Sequence, residues 1–372
     1  MGLSDDARIV GASLRVRDSR NVILRNLTVS DAHDCFPTWD PEDSSVGNWN
    51  SAYDNVSVWT SENVWIDHST FDDGDNPPSS LPKVFGRPFE IHDGLVDITH
   101  GSDLVTVSYN EFFDHDKTSI IGSSDSRTQD AGKHRVTYHH NRWTDVGQRA
   151  PRVRFGDVHV YNELYEQTCE GLFQYYWGAG IDSSIYAENN AFELADGVDP
   201  ARIVVKWKGE RLFETGTTVD GSAVDLMALY NASVDEAGRL DDSARWTPTL
   251  HGRVDPTWAV PVIVRASAGA GRIGPVDAAT YDPTATYRAA TSSSPARALP
   301  CAVVLARHDP GLGLGPWEEV AVDEQGTPLW TPSRVLTAGD VVVHDGSVWV
   351  ARWWTRDQAP GSSPWGPFRA VA

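Results

Sequence analysis

Across the first two thirds of the chain one short pattern returns: apolar residues in alternation, a polar turn containing Asn or Ser, then another large apolar or aromatic residue. It appears as Val22-Ile23-Leu24-Arg25-Asn26-Leu27-Thr28-Val29 and again at Val64 to Phe71, Val105 to Phe112, Val136 to Trp143, Val158 to Tyr165 and Ile185 to Phe192. The starts are 42, 41, 31, 22 and 27 residues apart, with no helical periodicity between them. Short strands at one or two multiples of about 20 residues predict the coils of a parallel β-solenoid with loops of unequal length. Alternate strand residues share a face, so the leading apolar positions face the interior. Asn110, Asn141 and Asn190 fall just after them, where a side chain can bond neighbouring backbone in a turn, and they read as turn residues and not as ligands. Six short strands with polar turns are also compatible with an antiparallel sandwich.

The pattern ends near Ile273. The stretch Asp277 to Pro300 is rich in Ala, Thr, Ser and Pro and reads as a linker. Beyond it Trp317, Trp330, Trp349, Trp353, Trp354 and Trp365 crowd into a segment too small to bury them all, so some are expected at the surface. The predicted division is a solenoid over 1–275, a linker over 276–300 and a small Trp-rich β domain over 301–372 with its core at about 324–372.

The net charge of −21, with 52 acidic against 31 basic residues, argues against nucleic acid as a partner. No stretch approaches the roughly 20 apolar residues of a membrane span, and the opening Met1-Gly2-Leu3-Ser4-Asp5-Asp6 lacks an apolar signal core. A polyanionic ligand would need local positive charge to overcome the field of the whole protein. Cys35, Cys169 and Cys301 form neither a zinc spacing nor a disulfide framework.

Local positive charge does occur, at Arg149-Ala150-Pro151-Arg152-Val153-Arg154-Phe155-Gly156. In an extended segment Arg152 and Arg154 point one way while Val153 and Phe155 point into the core. Three guanidiniums in six residues repel one another unless anions or carboxylates offset them, and structural salt bridges are the competing account. Upstream lie Asp54, Asp93, Asp97 and Lys117. Three carboxylates without a Cys or paired-His pattern favour a hard cation, Ca²⁺ before Mg²⁺; solvated surface aspartates and a plain surface lysine are the alternatives. If residues 93–97 were fully extended, Asp93 and Asp97 would stand roughly 13 Å apart, so Gly94 must bend the chain for them to share an ion. His139 and His140, as strand neighbours, point to opposite faces and cannot readily share a metal, one being expected inside the coil. Asp72-Asp73-Gly74-Asp75-Asn76 resembles half of a calcium loop without its closing Glu and reads as a polar turn with room for a second ion.

Val64-Trp65-Ile66-Asp67-His68, Asp93-Gly94 with Asp97-Ile98, His115-Asp116-Lys117, the arginine segment and Val158-His159-Val160-Tyr161-Asn162 together closely resemble the pectate lyases of polysaccharide lyase family 1, over roughly residues 8–273. The resemblance implies an all-β, right-handed parallel β-helix that cleaves polygalacturonate by Ca²⁺-dependent β-elimination. By position Asp54, Asp93 and Asp97 match the calcium ligands, Lys117 and Arg154 the groups that hold the substrate carboxylate and sugar oxygens, and Arg149 the base that removes the C5 proton. Because free guanidinium does not deprotonate near neutrality, an alkaline optimum is expected. Since Ala7-Arg8-Ile9-Val10-Gly11-Ala12 resembles a point well inside the family's domain, the chain is expected to be N-terminally truncated, lacking a cap and first coils and exposing strand edges.

Leu329-Trp330, Ala338-Gly339-Asp340-Val341, the segment Val348 to Thr355 and Pro364-Trp365 resemble carbohydrate-binding modules of families 5 and 12. There Trp330, Trp353 and Trp354 are the expected sugar-stacking rings, for chitin or cellulose. A departure from that pattern is Val335-Leu336 before the Gly-Asp pair, where the family often has an aromatic residue. The combined expectation is a secreted, monomeric, modular lyase acting on pectin. The rivals are a pectin lyase acting on methyl esters and a non-catalytic wall-binding protein.

Overall fold

Each predicted repeat start lies beside the next in parallel register: Val22 with Val64, Val64 with Val105, Val105 with Val136, Val136 with Val158 and Val158 with Ile185. The series continues to Leu212. That coil escapes the sequence pattern because its turn is Gly216-Thr217 and carries no Asn. The computed structural model describes residues 1–2, 6–43, 46–273, 302–306, 317–321, 327–332, 336, 338–353, 355–356, 358–363 and 366–371. Two units separate, Met1–Gly274 and Pro275–Ala372.

In the first unit seven successive coils each contribute one strand to each of three sheets, which with the strands at the two ends of the solenoid hold nine, seven and eight strands among the described residues. Glu62–Asp67 in the eight-stranded sheet, Thr70–Asp72 in the nine-stranded sheet and Val96–Thr99 in the seven-stranded sheet make one such turn of the solenoid. Pairing within these sheets is parallel except for a closing hairpin, Thr218–Val219 against Ser222–Ala223. The fold is a parallel β-helix, and the antiparallel sandwich is excluded.

Stacking of coils places like on like. Phe71, Phe112, Trp143, Tyr165 and Phe192 occupy one interior row of the nine-stranded sheet, their rings stacked with centroids 5.2, 4.2, 5.8 and 4.5 Å apart. Each is at most 1% exposed, and such rings dominate core energetics through area and offset stacking. At the sharp corner between the eight- and nine-stranded sheets only two residues connect the strands. The first, Asn26, His68, Tyr109, His140, Asn162 or Asn189, takes a left-handed conformation.

The second builds a ladder. Ser69 N donates to Asn110 Oδ1 at 2.9 Å, Asn110 N to Asn141 Oδ1 at 2.9 Å, Asn141 N to Glu163 Oε1 at 3.0 Å and Glu163 N to Asn190 Oδ1 at 2.9 Å. The amide groups of Asn110, Asn141 and Asn190 also reach the carbonyls of Ile66, Val107 and Val160. These asparagines therefore satisfy buried turn backbone.

Two helices of eight residues each lie beyond the sequence pattern, being too short to show a period. Leu226–Ser233, capped by Asp225 accepting from Ala228 N at 2.8 Å, buries Leu226, Met227 and Tyr230 against the interior. Val260–Ser267 lays Val260 and Val264 on Leu164 and Ala191 of the nine-stranded sheet, and Arg265 pairs with Glu166 at 2.8 Å. Neither histidine of the 139–140 pair lies inside the coil. His139 faces outward against Tyr161, and the turn residue His140 is buried beneath Asp255, 3.2 Å from its Nε2.

In the second unit Val341–His344, Ser347–Ala351 and Phe368–Ala370 form an antiparallel sheet over Leu336, Val342, Ala351 and Phe368. Trp330 and Trp349 pack half-buried against this small core, whereas Trp353 is 48% exposed. Trp354 and Trp365 lie outside the described residues, as does Cys301. Cys35 and Cys169 are exposed free thiols.

Candidate active site

The seven-stranded sheet has its inward row filled by Val58, Ile98, Ile121 and Val153, so the intervening positions face out. Asp97 pairs in register with Ser57, whose hydroxyl donates to Asp54 Oδ2 at 2.5 Å. The chain bends at Leu95 before that strand, and a Cβ on Gly94 would meet Asp97 Oδ1 at 2.6 Å. The bend expected at residues 93–97 thus exists, and only glycine leaves room for the Asp97 carboxylate. On the next two coils Lys117 forms a parallel bridge with Gln148, which places Arg149 immediately beyond it. Asp54, Asp93 and Asp97, Lys117, and Arg149 are consequently presented by four stacked coils.

Both Asp54 and Asp97 are buried, at 8% exposure. Burial first, and then the charge of Asp93, push the Asp54 carboxyl up to about 6. Asp97 is pushed well above the usual carboxylate range by burial and then by Asp54 and Asp93, with Arg149 opposing. Buried like charges that raise one another's pKa are a local excess of negative potential. Asp93 is half-buried, and Lys117 Nζ stands 3.9 Å from its Oδ1.

Among the described residues no three His, Cys, Asp or Glu side chains are gathered closely enough to hold a metal as they stand. Part of the reason is that Asp54 Oδ1 accepts from Gly94 N at 3.0 Å, Asp97 Oδ1 accepts from Ile120 N at 3.0 Å, and Asp93 leans towards Lys117. The donor set nonetheless fits a hard divalent cation, being all carboxylate oxygen with a charge excess that a cation would cancel.

The three arginines differ. Arg154 is held structurally: its Nε donates to Asp125 at 2.8 Å and its Nη1 to Gly122 O at 2.9 Å, while Lys208 takes the other Asp125 oxygen at 2.6 Å. Arg149 and Arg152 have no ion pair within 4 Å among the described residues, and the Nε of each is buried without a hydrogen-bond partner. Arg149 sits at φ +62°, a left-handed turn that lifts its side chain out of strand geometry. Arg152 lies over the Trp207 ring at 4.6 Å, and burial followed by Arg154 lowers it to about 10. Guanidiniums without carboxylate partners of their own, with Arg149 close to the buried Asp97, form an anion-receptive surface inside an acidic protein.

Sequence reading misses Asp125 and Lys208, the partners of Arg154, and Tyr175, whose buried hydroxyl adjoins Arg149 and Arg152. They come from neighbouring coils, and nothing in their local sequence marks them. The acidic turn after Thr70–Asp72 is not open for an ion. Asp72 accepts from Ser30 Oγ and Gly74 N, and Asp73 accepts from His115 Nδ1.

The first unit is a parallel β-helix that presents acids and bases on one outer sheet, and comparison with known proteins narrows its class. Residues 1–238 match the family described as Pectate lyase, and residues 329–366 match carbohydrate-binding module family 5/12. The chain belongs to the pectate lyase family. It is 45% identical over 277 residues to the pectate lyase of Bacillus subtilis, covering 73% of this chain and 64% of that one, and 38% identical over 232 residues to pectate lyase E of Dickeya chrysanthemi, covering 60% and 59%. Among solved structures, the thermostable pectate lyase PL 47 superposes with a TM-score of 0.71 at 45% identity, over 73% of this chain and 67% of that one. A pectate lyase bound to a hexasaccharide gives 0.68 at 44% identity, over 72% and 66%. The chain thus spans somewhat under two thirds of the length of its Bacillus subtilis relative.

Proposed function

We propose that this chain cleaves α-1,4-polygalacturonate by Ca²⁺-dependent β-elimination. The observation that carries the proposal is the gathering of the buried carboxylates Asp54 and Asp97 with Asp93 and Lys117 on stacked coils, next to the half-buried Arg149, whose Nε has no hydrogen-bond partner. The family and the hexasaccharide-bound relative support the substrate class. Asp54, Asp93 and Asp97 would hold Ca²⁺, which when bound supplies positive charge to the substrate carboxylate and to the carbanion-like transition state.

Lys117 and Arg154 bind the uronate carboxylate and sugar oxygens, and Asp125 keeps the Arg154 fork in place. Arg149, in its neutral form, accepts the C5 proton. As the C5–H electrons form the C4=C5 double bond, the C4–O bond breaks and the departing oxygen is protonated by solvent. The guanidinium formed at Arg149 then stabilises the negative charge left on the carboxylate side.

The C-terminal unit binds a carbohydrate surface through Trp353 and its neighbours, with chitin or cellulose as the polymer. A secreted, monomeric enzyme suits such a substrate. The test is absorbance of the unsaturated product released from polygalacturonate with Ca²⁺ and with a chelator, and from methylated pectin in parallel. Product with Ca²⁺ alone supports the reading. Product only from methylated pectin, regardless of chelator, identifies a pectin lyase, and no product despite retained binding identifies a wall-binding protein.

A further inference from the structure

The acidic turn at Asp72-Asp73-Gly74 has a use that its likeness to a calcium loop does not suggest. Asp73 is 1% and His115 2% exposed, and the His115 ring lies between two acceptors. Its Nδ1 is 2.9 and 2.8 Å from the two oxygens of Asp73, and its Nε2 is 3.1 Å from the backbone carbonyl of Asp93. That carbonyl belongs to the peptide joining Asp93 to Gly94. The N–H of the same peptide donates to Asp54 Oδ1 at 3.0 Å. Asp93 N is itself held by Tyr53 O at 3.2 Å, one residue before Asp54.

A peptide unit is planar, so fixing its carbonyl fixes the direction of its N–H. If the 93–94 peptide rotated, Asp54 would lose its backbone donor and the Asp93 side chain would leave its position beside Lys117. Gly94, without a Cβ, puts little steric barrier in the way of that rotation, so a partner on the carbonyl adds to the hold that the hydrogen bonds of Asp93 N and Gly94 N give the segment. His115 is that partner, and Asp73, from the coil below, orients the ring.

We infer that Asp73 and His115 form a positioning pair that locks the 93–94 peptide and thereby sets Asp54 and Asp93 for cation binding. This rests on the reading of Asp54, Asp93 and Asp97 as the cation site. His115 touches neither substrate nor ion; it acts through the backbone, as outer partners do around metal ligands.

The test is Ca²⁺ affinity by isothermal titration calorimetry, without substrate, on the full chain and on His115→Phe, His115→Gln and Asp73→Asn, with melting temperature measured alongside. His115→Phe is expected to weaken Ca²⁺ by about 10- to 100-fold, the usual range for removing an outer partner. Asp73→Asn, which keeps an acceptor for the ring, should weaken it less, and His115→Gln, which can still donate to the Asp93 carbonyl, should recover part of the loss. Activity of His115→Phe should return when Ca²⁺ is raised in proportion, which a general loss of structure would not allow. Should His115→Phe fail to fold, the other two variants carry the comparison. Folded variants that bind Ca²⁺ as tightly as the parent chain overturn the inference and leave the cation site standing. A parent chain that binds no Ca²⁺ overturns both.

Discussion

Two regions of the solenoid bury carboxylates and treat them differently. In the ladder, Glu163 is fully buried and surrounded by donors: Asn141 N at 3.0 Å, Asn141 Nδ2 at 3.0 and 3.2 Å, and Trp143 Nε1 at 2.5 Å. On the outer face of the seven-stranded sheet, Asp54 and Asp97 also accept backbone hydrogen bonds, but their strongest charged neighbours are other aspartates. The first arrangement satisfies a buried acceptor with the protein's own groups and needs nothing further. The second leaves a charge imbalance that an external cation can cancel. Donors make a structural part, whereas like charges make a receptive site.

The largest effect expected from breaking this contrast is on chemistry. Arg149→Ala should lower product formation by about 10²- to 10⁴-fold, the usual contribution of a positioned acid or base, with melting temperature and Ca²⁺ affinity nearly unchanged; a variant retaining most activity would remove Arg149 as base. On the ladder side, Trp143→Ala removes a fully buried ring from the middle of the aromatic stack and a donor from Glu163. It should cost about 3–5 kcal/mol in chemical denaturation. Any loss of activity there should track the unfolded fraction.

Asp97→Asn sharpens the comparison because its two effects have opposite signs. It should weaken Ca²⁺ by at least about tenfold in calorimetry, yet raise the melting temperature of the Ca²⁺-free chain at alkaline pH, where burial and the neighbouring aspartates disfavour the Asp97 charge. A fall in the Ca²⁺-free melting temperature would mean that the hydrogen bond from Ile120 N to Asp97 outweighs the repulsion. The smallest effect lies in pH. Burial raises Glu163 from 4.5 to about 8 against the opposing donors, so the folded chain binds more protons than the unfolded chain between those values. Its contribution to stability is therefore complete below about 4.5 and declines as pH rises through about 8. Asp54 acts with the same sign up to about 6. Added Ca²⁺ should flatten the part of the slope that comes from Asp54 and Asp97, and Glu163→Gln the part that Glu163 adds between about 4.5 and about 8, in melting curves taken across pH. Identical slopes with and without Ca²⁺ would remove the distinction between the two regions.

Most of the solenoid is legible along the chain. Interior positions repeat with the strand period, and Asn110, Asn141 and Asn190 announce the corners because a short amide side chain there bonds the backbone of the adjoining coils. Where the corner uses another residue the signal weakens: the coil at Leu212 turns through Gly216-Thr217, and the ladder passes through Glu163, whose role no local pattern reveals. The aspartates, Lys117 and the arginine segment stand out by residue type and order. What they pair with does not, because those partners come from other coils. Asp125 reaches Arg154 across 29 residues and Asp73 reaches His115 across 42. In the C-terminal unit tryptophan density predicts surface rings, but burial divides them: Trp330 rests against the small core and His344, and Trp353 faces outward.

Residue order alone pointed to a solenoid and to the chemical character of the candidate site, because strand alternation and turn chemistry are local properties written within a few residues; it left a sandwich open and put one of His139 and His140 inside the coil. Coil-on-coil stacking was needed to settle which arginine is anchored by a salt bridge, which carboxylates lie close to other carboxylates and which histidine grips the peptide between Asp93 and Gly94. Those outcomes depend on the distance between groups on adjacent coils, and loops of unequal length make that distance invisible along the chain.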